Sequence, residues 1–208
     1  MQYNIGLDLG QRRDHTALAV VNKLEDHRPW GEVNFICLEV CYAERVPLGT
    51  PYPAVVDRVR QIVHTQPLRD NCVLAVDATG VGAPVVDMMR KAGLGCPLAP
   101  IVITGGDKAS RIGDTHHGPK VDLWAGLAVM LERNELRIST KFPSSGALAR
   151  ELAALSAASG AAKSGHKDDL AIALALAVWR ARNHGYGVTG GGRRTDHYDA
   201  VLKFHSRL

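Results

Sequence analysis

The sequence has no apolar run long enough to cross a bilayer: its longest strongly apolar stretch, residues 170–179, falls well short of the ~20 residues a membrane helix needs. No secretory pattern stands at the start, where Met1 leads almost directly into a strand-like segment. A membrane-spanning helix is excluded, and a cytoplasmic location is expected. The four cysteines, Cys37, Cys41, Cys72 and Cys96, include no CxxC pair. Cys37 and Cys72 lie inside apolar strand-like runs, where a thiol acts as a small hydrophobe, so neither structural zinc nor a disulfide is expected. There is no GxxxxGK[ST] phosphate loop; Ala161-Ala162-Lys163-Ser164 carries a Lys-Ser pair without the spaced glycines. No Ser-His or Cys-His arrangement suggests covalent catalysis. No repeat or Ser/Pro linker divides residues 1 to about 184.

What is present is ordinary in bulk and specific in detail. With 208 residues, 46% of them hydrophobic and 22% charged, the chain suits one globular domain with a real core. A formal net charge of +4 mildly favours a polyanionic partner. Residues 3–9 and 16–22 read as two short strands joined by a polar loop, a hairpin, and a third strand follows over 33–45. Pro53 opens a helix whose Val55, Val56, Val59, Ile62 and Val63 repeat at helical spacing. Residues 72–77 form a nearly continuous apolar strand, Gly80 and Gly82 make a turn, and a helix runs from Pro84 towards Gly93. A strand over 100–104, a polar loop containing His116-His117, and a helix from Pro119 come next. A brief strand over 136–139, a helix bearing Leu148, Leu152 and Leu155, and a long helix starting near Asp168 complete the order. From residue 187 the Gly-rich composition reads as a flexible segment and tail. An antiparallel opening followed by alternating strands and helices predicts an α/β fold: a mixed sheet with helices on both faces.

Three acidic positions stand out against this frame. Asp8 and Asp77 each close an apolar strand, and Asp168-Asp169 opens the last helix. Right-handed crossovers place strand 72–77 parallel to the first strand, so Asp8 and Asp77 leave the same carboxyl edge of the sheet. Clustered carboxylates repel unless a cation lies between them, and oxygen-loving divalent ions such as Mg²⁺ or Mn²⁺ suit them. Each acid also has a bland reading. Asp77 could cap the following turn, and first-turn acids offset the orphan amides of a helix. Gly-Leu-Asp-Leu-Gly around Asp8 also suits the phosphate loop of sugar kinases, but no second such loop is found.

In order and spacing, these segments resemble the nuclease domain of phage and prophage large terminase subunits, within the ribonuclease H-like superfamily. The likeness rests on Gly6-Leu7-Asp8-Leu9-Gly10 with Asp14-His15-Thr16-Ala17, on Arg45-Val46-Pro47-Leu48-Gly49-Thr50-Pro51-Tyr52, and on Leu74-Ala75-Val76-Asp77-Ala78-Thr79-Gly80-Val81-Gly82. Ile101-Val102-Ile103-Thr104-Gly105-Gly106, Pro119-Lys120 and the run from Gly165 through Asp168-Asp169 to Ala175 complete it. The resemblance implies a five-stranded or slightly larger mixed sheet over residues 1–186, with 187–208 as a tail. It implies a Mg²⁺- or Mn²⁺-dependent endonuclease acting on double-stranded DNA by a two-metal-ion mechanism. Asp8 would bridge both ions, Asp77 would hold one and Asp169 the other, with Asp168 and Asp14 as auxiliary ligands. Arg12, Arg13 and Lys120 would touch phosphates. Read by itself, His166 could ligate a metal or orient a carboxylate, but a loop histidine before a helix is more often polar surface. A terminase ATPase domain and a portal protein are the implied protein partners. The missing phosphate loop departs from full-length terminases, and residues 155–165 are short where that family often carries a hairpin over the site. A Holliday-junction-resolvase-like nuclease and a non-catalytic packaging module are the alternatives.

Overall fold

A computed structural model of the chain describes residues 3–10, 14–27, 33–157 and 168–183. Arg12, Arg13, His166 and the 187–208 tail lie outside the described residues. The chain opens with β1 (Tyr3–Asp8), β2 (Ala17–His27) and β3 (Val33–Arg45), an antiparallel meander in which Asp8 pairs with Ala17 and Ala17 with Arg45. Then α1 (Tyr52–Val63) buries Val55, Val56, Val59, Ile62 and Val63, the face that the sequence spacing predicts. After it come β4 (Cys72–Asp77), α2 (Gly82–Ala92) and β5 (Leu98–Thr104), and the left-handed Gly93 (φ 61°) closes α2. Next are β6 (Ser110–Ile112), β7 (Thr115–Pro119), α3 (Lys120–Glu132), β8 (Leu136–Ile138), α4 (Ser145–Ala157) and α5 (Asp169–Asn183).

Among the described residues the sheet has eight strands in the order β6-β7-β5-β4-β1-β2-β3-β8, a mixed sheet larger than five strands, as the resemblance allows. The additions are short: β8 beside β3, and the hairpin β6–β7 beside β5. The hairpin was expected as a polar loop, because Thr-His-His-Gly-Pro has neither apolar alternation nor many branched residues. Its strand character comes from tertiary contacts. β7 pairs with β5, and the His116 ring meets Trp179 of α5 edge-on, centroids 5.3 Å apart. None of the described helices is long and apolar enough to cross a membrane.

What positions the site is the packing of α5 on β1. Gly6 lies so close to α5 that a Cβ there would sit 1.9 Å from the Ala173 carbonyl oxygen and 2.7 Å from the Ala177 nitrogen. Side chains alternate along a strand, so Asn4, Gly6 and Asp8 share the face covered by α5. On α5, residues 169, 173 and 177 are one turn apart and line one side of the helix. Asp169 therefore stands one turn (~5.4 Å) ahead of Ala173, on the side that meets Gly6.

An acidic edge at the head of the last helix

β1 and β4 are parallel, with Gly6 opposite Ala75 and Leu7 opposite Val76. The next step puts Asp8 beside Asp77, and paired residues on adjacent strands point to the same face. Along that row the antiparallel pairs continue from Asp8 to Ala17 and from Ala17 to Arg45. Asp77, Asp8 and Arg45 thus share one cross-sheet level, on the face where α5 begins.

Asp8 shows how tightly the charges crowd. Burial, then the carboxylates of Asp77, Asp169, Asp168 and Asp14 in that order, push its pKa from 3.8 up to about 8. Asp77 is also raised, by burial, against the opposing pull of Thr79 and of Lys120. The Thr79 N–H donates to Asp77 Oδ1 at 2.8 Å, and the Thr79 hydroxyl in turn accepts from the Ile103 N–H at 2.9 Å. Gly82 lets the turn close behind Asp77; a Cβ there would lie 2.1 Å from the Asp77 carbonyl oxygen. That close fit to β4 accounts for glycine at position 82.

Asp169 is buried at the first residue of α5 and its pKa is raised, mainly by burial, while Arg45 and His15 pull it down. Asp168 precedes it as the residue whose carbonyl accepts the Ile172 N–H at 2.8 Å, starting the helix. Asp14 is exposed and acts on Asp8 only through its charge. Lys120, at the head of α3, is exposed and within electrostatic range of Asp77.

Three residues enter the site that the sequence did not flag as functional. Arg45 donates through Nε to Asp169 Oδ2 at 3.3 Å and pairs through Nη2 with Glu151 Oε1. Glu151 Oε2 accepts the Ala171 N–H at 2.9 Å. His15 Nδ1 lies 3.0 Å from the Val46 carbonyl oxygen; because a carbonyl can only accept, Nδ1 is the donor of that contact. A signal for Glu151 was available in the sequence. It lies three residues after Leu148 and four before Leu155, an acid on the apolar stripe of α4.

No protein-family model and no curated protein matches the chain. Solved structures do. The large terminase nuclease from thermophilic phage G20c, with bound zinc, aligns at TM-score 0.51 and 20% identity, covering 86% of this chain and 81% of that one. The human cytomegalovirus terminase nuclease domain aligns at TM-score 0.56 and 11% identity, over 88% of this chain and 86% of that one. A manganese-soaked form of that domain gives 0.53 and 13%, over 87% and 82%. The chain has the fold of terminase nuclease domains. A mixed α/β sheet of this kind is the fold class that the sequence resemblance implies. At these identities the likeness fixes the terminase-nuclease fold alone and assigns no residue a role.

The donor set at the acidic edge of this terminase-nuclease fold is all oxygen and all carboxylate, the chemistry that Mg²⁺ and Mn²⁺ prefer. The side chains nevertheless do not close into a ready-made cage. Among the described residues no group of three or more His, Cys, Asp or Glu is disposed to hold an ion. Asp8 feels four other carboxylates at electrostatic range, which is longer than ligating range, so the two observations are compatible. Two of the acids accept from protein donors, Asp169 from Arg45 and Asp77 from Thr79. The acids share one neighbourhood, and these two are held by protein partners.

The raised Asp8 pKa has a consequence for stability. The folded state binds this proton more tightly than the unfolded state, so the stabilisation is complete below 3.8 and lost as pH rises to about 8. In metal-free buffer the wild type should lose stability across that window relative to Asp8→Asn. The two melting temperatures should be close near pH 4 and the variant clearly higher at pH 8. Thermal melts at both pH values check this, and a wild type at least as stable as the variant at pH 8 would contradict it.

Proposed function

We propose that this chain is a divalent-metal-dependent endonuclease that cleaves double-stranded DNA, as the nuclease part of a phage or prophage packaging machine. One observation carries the reading. Asp8 and Asp77 stand side by side on adjacent parallel strands at a carboxyl edge, and Asp169 heads the helix packed on the same face. Asp8 would take the central place, with Asp77 and Asp169 on either side and Asp168 and Asp14 further out. When bound, two Mg²⁺ or Mn²⁺ ions supply activation of a water and stabilisation of the leaving oxygen.

The chain's own residues do the rest. Thr79 and Arg45 fix the orientation of Asp77 and Asp169 before substrate arrives. Lys120 offers a cation to a phosphate beside Asp77, and Arg12 and Arg13 are assigned the same role from the sequence. Binding of this kind is driven by the DNA backbone, so it is weakly sequence-specific and falls steeply with salt. Action in the bacterial cytoplasm, with an ATPase domain or portal protein as partner, fits the same reading.

Incubation with supercoiled plasmid tests it. Nicked and linear products should form with Mn²⁺ or Mg²⁺, vanish with chelator, and decline as salt rises. Cleavage confined to four-way junctions would move the substrate to that class. No metal-dependent product at any pH would leave a non-catalytic packaging module as the better reading.

A further inference from the structure

Arg45 and Glu151 bear on which ion the acidic edge accepts, an inference that rests on the metal-dependent reading above. One guanidinium serves two buried carboxylates. The side chain of Glu151 is 7% exposed and that of Asp169 is 8%, with Arg45 between them. Both Glu151 oxygens are committed, Oε1 to Arg45 and Oε2 to the Ala171 N–H. Glu151 therefore acts as an anchor: it holds Arg45 in place and ties the first turn of α5 to α4.

The effect falls on Asp169. Its Oδ2 is taken by Arg45 Nε at 3.3 Å, while no described residue bonds Oδ1. Asp77 is similarly limited, since Thr79 holds its Oδ1 at 2.8 Å. Asp169 can thus offer Oδ1 to an ion without giving up its protein donor.

We propose that Arg45, anchored by Glu151, is a specificity-determining positioning residue that restricts Asp169 to a single metal-facing oxygen and thereby disfavours Ca²⁺ relative to Mn²⁺ and Mg²⁺. Mg²⁺ demands a near-ideal octahedral shell, keeps several waters and needs few protein oxygens. Ca²⁺ takes six to eight oxygens and readily uses both oxygens of one carboxylate, so a carboxylate with one oxygen locked is a poorer ligand for it. The positive charge of Arg45 weakens every divalent ion alike, whereas the lost second oxygen penalises Ca²⁺ selectively. The affinity ratio is therefore the informative quantity.

The test uses the full chain, with calorimetric titration and thermal shift against MnCl₂, MgCl₂ and CaCl₂ at constant ionic strength. The double variant Arg45→Met/Glu151→Gln removes the ion pair and leaves an amide oxygen to accept the Ala171 N–H. Its Ca²⁺ affinity should rise relative to Mn²⁺ on the order of tenfold. Arg45→Lys, which keeps the charge and loses the second arm, should move the ratio the same way by less, and it serves if the double variant does not fold. A purely structural role would lower the melting temperature and weaken all ions together. An unchanged ratio in a folded variant that binds Mn²⁺ overturns this inference and leaves the metal-dependent reading standing. A wild type that binds no divalent ion sinks both.

Discussion

Asp8→Asn should abolish DNA cleavage while the protein stays folded. Asp8 is flanked by Asp77 across the parallel ladder and lies beneath the start of α5, so it is the carboxylate that its neighbours press hardest. Asparagine keeps the shape and one oxygen but removes the charge that would join two ions. The expected loss is on the order of 10³-fold or more, in line with removal of a transition-state electrostatic group. At pH 8 the metal-free variant should melt above the wild type, because one repelling charge is gone. Added Mn²⁺ should raise the wild-type melting temperature and leave the variant almost unmoved. Plasmid nicking measured beside thermal melts, each with and without Mn²⁺, reads both effects from the same samples. A variant that still nicks at the wild-type rate contradicts the role given to Asp8.

The largest structural effect should come from Gly6→Ala. The added methyl would overlap the Ala173 carbonyl oxygen at 1.9 Å and approach the Ala177 nitrogen at 2.7 Å. Both are backbone atoms of a helix and cannot rotate out of the way as a flexible side chain could. The helix must lift from the sheet, opening the buried layer formed by Leu170, Leu174 and Ala177. A cost of about 3 kcal/mol or more is expected, towards the upper end for overpacking. In a domain of this size that lowers the melting temperature by roughly 6–12 °C. Asp169 rides on the same helix, so Mn²⁺ should also stabilise Gly6→Ala less than the wild type. An unfolding curve that matches the wild type would show that α5 does not pack on β1 as described.

The parts of this molecule legible in the sequence are those that local pattern dictates. β1, β3 and β4 read directly because their apolar runs end at a charge or a turn. The stripe of Val55, Val59, Ile62 and Val63 and the Gly93 stop give α1 and α2. The Asp8–Asp77 pairing followed from the handedness of crossovers, a rule about chain topology. β2 was expected to end near residue 22 but runs to His27 alongside β3, because pairing can extend a strand through polar Asn22, Lys23 and Glu25. The β6–β7 hairpin was missed for the same kind of reason: β5 supplies its ladder and Trp179 packs against His116.

At the site, the sequence could name the carboxylates but not their counter-charge. Arg45 belonged to a recognised segment, yet only the register Asp8–Ala17–Arg45 shows that it stands level with the acids. Glu151 comes from a helix more than 100 residues further along the chain, and its contact with Arg45 is set by how α4 meets α5. His15 followed a named acid, but its ring is held by Val46 from the end of a different strand. The choice between Asp168 and Asp169, nearly even on helix geometry alone, sharpens once Gly6 fixes which side of α5 faces the sheet. Asp169 shares that side with Ala173 and Ala177, and Asp168 supplies the carbonyl that starts the helix.

A crystal soaked in Mn²⁺ and recorded at the manganese absorption edge addresses the acidic edge most directly. Anomalous density is expected within ligating distance of Asp8, with Asp77 and Asp169 turned towards it and Arg45 still held by Glu151. Density bound only elsewhere on the molecule, with no ion within ligating distance of Asp8, would contradict a metal-dependent nuclease centre at this edge.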